Sequence, residues 1–241
     1  MRNKIFITGF LHSGTTILRA KISDCDNVFS QIRESQTPKT DSYEKYLSSG
    51  KEFFLWKDPI IRNSLYNTGF PKRDGSPFQD CHIIFLVRNP FYVFSSLQKR
   101  GTEIVKCDFH KFEDWEKSAL KFLEMREKKY EYTYTIKYEE FFDEGFQNLK
   151  NIFAQVGLIH SENIFETKKK DYYHDFVREV PENFRETFTK NSHYRTWQIN
   201  QNFENFNLNS KVELTPDLYE QICSSSVLPL LNYEILENNP L

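Results

Sequence analysis

Residues 6–22, near the start of the chain, read FITGFLHSGTTILRAKI and carry the clearest structural signal in the sequence. An apolar run leads into Gly9, four residues separate Gly9 from Gly14, and Thr15 and Thr16 open a helical pattern. A loop of this kind between a strand and a helix binds anions, because the backbone N–H groups of the loop and of the first helical turn converge. The lysine that follows the second glycine in ATP- and GTP-binding loops is absent, which argues against an ordinary NTPase site.

Side chains in this loop can add donors to a bound anion. Ser13, Thr15 and Thr16 supply hydroxyl groups, and His12 lies two residues before Gly14. An imidazole there can face the anion as a neutral donor or as a cation. Many lone histidines are structural, so these residues alone leave the role of His12 open.

The rest of the chain alternates between apolar runs and helical patterns. Strands are predicted at 4–10, 52–58, 81–89 and 132–140, and helices at 15–23, 90–100, 111–129 and 145–158. This alternation predicts a three-layer α/β fold, with a mostly parallel sheet and helices on both faces. The length of 241 residues suits a single domain, 1–241. Two long polar stretches, 65–80 and 168–206, are predicted to be loops.

Composition limits the partners and the compartment. The net charge is −2, so no broad basic field indicates a nucleic-acid partner. No apolar run is long enough to span a membrane, and no signal peptide is recognisable. The four cysteines form no CxxC pair and no zinc-type cluster, so no metal site is predicted. The simplest expectation is a cytoplasmic protein with no membrane span.

A second motif follows the third apolar run, at residues 83–97, and reads IIFLVRNPFYVFSSL. Arg88 ends the run, and Ser96 lies eight residues later, two turns along the predicted helix. Ligands of open α/β sheets bind outside the carboxyl ends of the strands, and a guanidinium fork suits a phosphate. The alternative is that Arg88 pairs with an acid or caps an edge of the sheet.

Together, GFLHSGTTIL and the Arg88–Ser96 motif resemble the PAPS-dependent sulfotransferases. The resemblance implies a P-loop NTPase-like sulfotransferase fold and PAPS (3′-phosphoadenosine 5′-phosphosulfate) as co-substrate. It assigns the 5′-phosphosulfate to the loop residues His12, Ser13, Gly14, Thr15 and Thr16. It assigns the 3′-phosphate to Arg88 and Ser96. The family usually has Lys or Arg where this chain has His12, which is a departure from the pattern.

Further segments resemble the same family between residues 4 and 235, some of them nearest the tyrosylprotein and bacterial-type enzymes. LWKDP (55–59) matches a strand end of the superfamily, and IKYEEF (136–141) matches one that we interpret as structural. HYRTWQ (193–198) resembles a loop that closes over the donor, which implies donor contacts for Arg195 and Trp197. LLNYEI (230–235) resembles a closing segment in which glycine is common at position 232.

The resemblance implies in-line transfer of a sulfuryl group to an acceptor hydroxyl. Because a sulfuryl group carries less charge than a phosphoryl group, no metal is expected to be required. Lys57 and the loop, including His12, are expected to stabilise charge on the leaving group. Glu34 is the first choice for the general base, because related enzymes place a glutamate about twenty residues after the loop. His12, Asp58 and His82 are weaker candidates, and His82 lies at the wrong end of its predicted strand.

Two other functions stay open at the level of the sequence. One is a P-loop kinase or other nucleotide phosphotransferase, and the second is an inactive relative that retains nucleotide binding. The acceptor is unidentified: a glycan or a small molecule is favoured, but a lipid-linked sugar or a protein tyrosine is not excluded. Aromatic residues including Tyr43, Tyr46 and Phe112 suit either sugar stacking or the core. The oligomeric state is not predicted.

Overall fold

The structure is a computed structural model, and it describes residues 3–31, 34–35, 37–59, 80–99, 111–166, 203–208 and 210–238. Within these ranges, five parallel strands form one sheet in the order β2-β3-β1-β4-β5. The strands are β1 (Lys4–Gly9), β2 (Val28–Ser30), β3 (Phe53–Asp58), β4 (Cys81–Val87) and β5 (Thr133–Lys137).

Helices pack on both faces of this sheet. In the described ranges they are α1 (Thr15–Ser23), α2 (Thr40–Ser48), α3 (Pro90–Lys99), α4 (Phe112–Lys128), α5 (Gln147–Val156), α6 (Pro216–Cys223) and α7 (Val227–Leu230). Two short 3-10 turns, Glu139–Phe142 and Glu144–Phe146, link β5 to α5. None of these helices combines the length and the apolar character that crossing a bilayer requires.

Alternate residues of the central strand β1 enter two separate cores. Ile5 and Ile7 pack in a cluster that includes Leu18 of α1 and Phe153 of α5. Phe6 points to the opposite face, where its ring lies 5.1 Å from that of Trp56 and the core extends to α3 and α4. Because both faces are covered, β1, β3 and β4 are buried at nearly every position, as parallel strands usually are. The predicted three-layer α/β class is confirmed.

The elements agree with the predicted pattern except for β2, α2 and the two C-terminal helices α6 and α7, which the sequence pattern did not predict. All four predicted strands and all four predicted helices are present, with ends that differ by a few residues. β2 was missed because three residues are too few for a periodic signal. The pattern also gave no indication of α2, whose sequence is mostly polar and which buries only Ser42 and Tyr46. Most of the predicted loops at 65–80 and 168–206 lies outside the described residues.

The strand order brings the segments that follow β1, β3 and β4 together at the carboxyl end of the sheet. β1 lies between β3 and β4, with Ile7 opposite Lys57 and Gly9 opposite Leu86. After β1 the chain forms β2 and β3 on one side of it and then crosses to β4 on the other side. The carboxyl ends of β1, β3 and β4 therefore surround one crevice. Open α/β sheets bind their ligands at such a change of direction.

Candidate active site

The loop between β1 and α1 needs a glycine at both ends. A Cβ at Gly9 would lie 2.3 Å from the carbonyl oxygen of Leu86, and Gly9 has a φ of 148°. Gly14 has a φ of 90°, and a Cβ there would lie 2.5 Å from Cδ2 of Tyr138. Both positions therefore exclude other residues, and the turn brings the backbone close to β4 and to the segment after β5.

The start of α1 fits an anion. Gly14 is the N-cap residue, no side chain caps the first turn, and the first turn contains no acidic residue. The backbone N–H groups and the positive end of the helix dipole therefore meet no competing side chain. Ser13 is fully buried, and its hydroxyl has no hydrogen-bond partner among the described residues. A buried hydroxyl without a partner is costly, so an anionic oxygen at this point would satisfy it.

The two sequence motifs meet at His12. Its Nδ1 shares a hydrogen bond of 2.8 Å with the hydroxyl of Ser96 on α3. Its carbonyl oxygen accepts a hydrogen bond of 3.1 Å from Nη1 of Arg88. The structure therefore brings together the residues that the resemblance assigns to the two phosphate regions of the donor. His12 has a φ of 60°, which directs the loop into this arrangement.

Arg88 directly follows β4 and is held on several sides. Its guanidinium lies 4.3 Å from the ring centroid of Tyr138, and its Nε donates to Oδ1 of Asn207 at 3.0 Å. The indole of Trp115 donates to the Arg88 carbonyl oxygen. No carboxylate in the described ranges pairs with Arg88, and β4 lies inside the sheet. The alternative interpretations as an acid-paired or edge-capping arginine therefore find no support.

Lys57 joins the loop to Glu34. Its Nζ donates to Oγ1 of Thr16 at 2.8 Å and forms an ion pair of 2.6 Å with Oε1 of Glu34. The Lys57 side chain is 2 % exposed and the Glu34 side chain 20 %. The chain after β2 runs along the end of β3, where Ser35 N–H donates to the Lys57 carbonyl oxygen. This contact accounts for the place of Glu34, which therefore lies beside the crevice and within reach of solvent.

Of the weaker candidates for the general base, Asp58 lies near the Lys57–Glu34 pair and His82 does not. Asp58 is buried at the end of β3, where its carbonyl oxygen accepts the hydroxyl of Thr8. His82 lies near the amino end of β4 and hydrogen bonds to the hydroxyl of Tyr134, so it is remote from the loop as expected. The predicted donor-covering residues Arg195 and Trp197 lie outside the described residues.

Two residues of the arrangement were missed by the sequence analysis. Asn207 contacts Arg88, and Glu139 accepts hydrogen bonds from Asn207 Nδ2 at 2.9 Å and from the backbone N–H of Asn89 at 3.1 Å. Glu139 belongs to the IKYEEF segment and was assigned only a structural role. Asn207 lies 119 positions after Arg88, and no local spacing connects the two. In the described ranges, no group of three His, Cys, Asp or Glu residues is placed to hold a metal ion.

Comparison with known proteins identifies the fold. No protein-family model matches the chain, and no curated protein matches it in sequence. Among solved structures, the sulfotransferase domain from the curacin biosynthetic pathway matches with a TM-score of 0.58 at 14 % identity, over 98 % of this chain and 99 % of that one. The chain has the sulfotransferase fold.

A second sulfotransferase agrees with this result. Mouse SULT7A1, in a structure complexed with PAP, matches with a TM-score of 0.50 at 14 % identity, over 96 % of this chain and 89 % of that one. The fold that the sequence resemblance implied is therefore confirmed. At such low identity the likeness establishes the fold alone, so the activity has to be argued from the site.

Proposed function

We propose that this protein is a PAPS-dependent sulfotransferase that transfers a sulfuryl group to a hydroxyl of a small molecule or a glycan. The observation that carries the proposal is the set of contacts around one loop. Arg88 and Ser96 contact His12 from one side, and Lys57 contacts Thr16 from the other. A loop with donors on both sides suits a nucleotide that has anionic groups at both its 5′ and its 3′ positions.

The described residues fit such a donor. The unpaired hydroxyl of Ser13 and the open first turn of α1, with Thr15 and Thr16, would hold the 5′ end. Arg88 and Ser96 would hold the 3′-phosphate, for which a guanidinium fork is well suited. PAPS supplies an activated sulfuryl group when it is bound. His12 would act from the loop as a donor or a cation, in place of the lysine or arginine that is usual in the family.

Lys57 would stabilise charge on the leaving group. Its ammonium is buried and has fixed partners, so little reorganisation is needed when negative charge develops at the loop. It is supplied by a strand next to the loop instead of by α1, which distinguishes this site from that of a P-loop kinase. A sulfuryl group carries less charge than a phosphoryl group, so these donors can act without the Mg²⁺ clamp of phosphoryl transfer.

Glu34 would act as the general base. Its carboxylate lies next to the Lys57 ammonium and is partly open to solvent, so an acceptor hydroxyl can approach it. Once Glu34 has taken the acceptor proton, its charge is neutralised, and the Lys57 ammonium is attracted more strongly to the charge on the leaving group. The ion pair thus couples the loss of the acceptor proton to stabilisation of the leaving group.

Two of the aromatic residues considered for contacts with a sugar lie in the core. Tyr46 and Phe112 are buried in the apolar cluster on one face of the sheet, and Tyr43 is partly buried against the same cluster. Tyr46 and Phe112 therefore stabilise the fold instead of lining an acceptor pocket. The acceptor class stays a small-molecule or glycan hydroxyl.

A thermal-shift panel followed by a turnover assay tests the proposed function. The chain is heated with 3′,5′-ADP, 5′-AMP, ATP or GTP, each with and without Mg²⁺. A ligand at a hundred times its dissociation constant adds about 2.7 kcal/mol, which raises the Tm of a chain of this size by roughly 5–10 °C. We expect the largest rise with 3′,5′-ADP, without a need for Mg²⁺, and then label transfer from PAPS in an acceptor screen. A shift with ATP and Mg²⁺ alone would overturn the proposal in favour of a kinase.

A further inference from the structure

Asn207 occupies one edge of the Arg88 guanidinium. Its Oδ1 accepts hydrogen bonds from both Nε and Nη2 of Arg88. Its Nδ2 donates to Oε1 of Glu139 at 2.9 Å. These neighbours fix the orientation of the amide, because a guanidinium can only donate and a carboxylate can only accept. Asn207 is 5 % exposed, so this is an internal contact and not a surface one.

The contacts of Arg88 leave a defined part of the guanidinium available. Of its five N–H groups, the one on Nε and one on Nη2 go to Asn207, and one on Nη1 goes to the His12 carbonyl oxygen. One N–H therefore remains on each terminal nitrogen, without an acceptor among the described residues. Two N–H groups on neighbouring nitrogens can bind the oxygens of one phosphate together.

Asn207 is itself anchored on the opposite side. Glu139 accepts from Asn207 and from the backbone N–H of Asn89, while its other oxygen accepts from the Tyr233 hydroxyl at 3.0 Å. Burial and the neighbouring Glu139 carboxylate raise the pKa of Tyr233 well above its usual value, so this hydroxyl stays a donor. A chain of hydrogen bonds thus runs from the C-terminal segment through Glu139 and Asn207 to Arg88.

We propose that Asn207 is a positioning residue that sets the affinity of this protein for the 3′-phosphate of its donor nucleotide. It holds the side edge of the Arg88 guanidinium, so that the two terminal N–H groups face the phosphate. Because the amide is neutral, it leaves the charge of Arg88 available to the ligand. A carboxylate at the same place would neutralise that charge and would also face Glu139. This inference rests on the proposed function and adds to it the residue that orients the phosphate contact.

Titration calorimetry with two nucleotides tests the role of Asn207. The ligands are 3′,5′-ADP and 5′-AMP, which differ only in the 3′-phosphate, and the variants are Asn207→Ala and Asn207→Asp. For Asn207→Ala we expect about tenfold weaker binding of 3′,5′-ADP, since one hydrogen-bonded support of a charged group is lost. Binding of 5′-AMP should stay within about twofold of the unmodified protein. Asn207→Asp should weaken the binding of 3′,5′-ADP further, because the carboxylate competes with the phosphate for Arg88.

Controls separate positioning from a general loss of structure. Asn151→Ala, at an exposed position on α5 where the side chain accepts a hydrogen bond from Gln147, should leave both affinities unchanged. In an Arg88→Ala background, Asn207→Ala should cause no additional loss of 3′,5′-ADP affinity. If Asn207→Ala does not fold, Asn207→Ser, which keeps a small neutral polar side chain, supplies the comparison.

Each contrary outcome has a distinct meaning. Equal weakening of both nucleotides by Asn207→Ala would reduce Asn207 to a structural role and overturn the inference. Tighter binding of 3′,5′-ADP would mean that the amide competes with the phosphate, which also overturns it. If Arg88→Ala leaves 3′,5′-ADP binding unchanged, the proposed donor site itself is wrong, and the inference falls with it.

Discussion

At the scale of single residues, Lys57 and Glu34 carry the chemistry that we propose. Lys57 is an ammonium that is almost completely buried between Thr16 of the loop and the Glu34 carboxylate. A buried lysine is rare in a core unless it is paired, and in the proposed site Thr16 would lie on the donor side of Lys57 and Glu34 on the acceptor side. In the reaction that we propose, the pair would therefore link the donor and the acceptor halves.

Substitutions of this pair should reduce the rate of transfer more than they affect nucleotide binding. For Lys57→Met we expect kcat to fall about 10²–10³-fold, because one preorganised donor to the leaving group is lost. For Glu34→Gln we expect a fall of about 10²–10⁴-fold through loss of the base, with an almost unchanged Kd for 3′,5′-ADP. Glu44→Gln, at an exposed position on α2, is the matched control. Full activity of Glu34→Gln would exclude Glu34 as the base.

Gly14 offers a test of the loop geometry that does not depend on the reaction. Gly14→Ala would place a methyl group 2.5 Å from the Tyr138 ring, at a φ of 90°. Gly50→Ala shares the positive φ, at 70°, but meets no atom within 4 Å. Both variants share the backbone strain of a positive φ. The difference between their losses of stability therefore measures the close approach of the Tyr138 ring to Gly14. We expect Gly50→Ala to cost about 1 kcal/mol and Gly14→Ala about 1–3 kcal/mol more, in denaturant unfolding. Equal losses would contradict the packing of Tyr138 on the loop.

At the scale of elements, Glu124 and its partners Lys121 and Lys128 form an electrostatic clamp near the end of α4. This clamp should make the free energy of unfolding depend on pH. Hydrogen bonds from Lys121 and Lys128 lower the pKa of Glu124 to about 2, with a smaller contribution from Tyr130. Because the pKa is lower in the folded state, the clamp is fully stabilising above the ordinary glutamate pKa of about 4.3. Its contribution is lost as the pH falls from there through about 2.

Glu124→Gln measures this clamp. We expect a small loss of stability at pH 7, about 0.2–1 kcal/mol, because these ion pairs are partly exposed and screened by solvent. The difference in Tm from the unmodified protein should shrink as the pH is lowered towards 3. Glu127→Gln is the control, since Glu127 is exposed on the same helix and forms no ion pair in the described ranges. A difference that stays constant from pH 7 to pH 3 would exclude an electrostatic origin.

The elements that carry local motifs were predictable from the sequence, and those without one were not. The loop after β1 and the arginine after β4 have fixed spacings within a few residues, so both were found with their strand and helix. β2 has three residues and lies on the edge of the sheet, where no period can be read. Asn232 occupies a place where the family often has glycine, and its φ of 54° shows that the backbone there has a left-handed conformation.

At the scale of the whole molecule, the site depends on contacts between distant parts of the chain. Asn207 reaches Arg88 across 119 positions, and Tyr233 reaches Glu139 across 94. Sequence patterns describe neighbours along the chain, so they predicted Arg88 but not the residues that hold it. The fold creates these contacts because β4, β5 and the C-terminal segments meet at the same end of the sheet. Donor binding is therefore expected to depend on residues far from the phosphate loop.

The central claim is that this crevice holds a nucleotide by its 3′-phosphate as well as by its 5′ end. The most direct test is calorimetric titration of the full chain with 3′,5′-ADP and 5′-AMP in magnesium-free buffer, before and after Arg88→Ala. We predict that 3′,5′-ADP binds at least about tenfold more tightly, as a charged hydrogen-bonded contact implies, and that Arg88→Ala removes this preference. Equal affinity for the two nucleotides in the unmodified protein would contradict the proposed donor site.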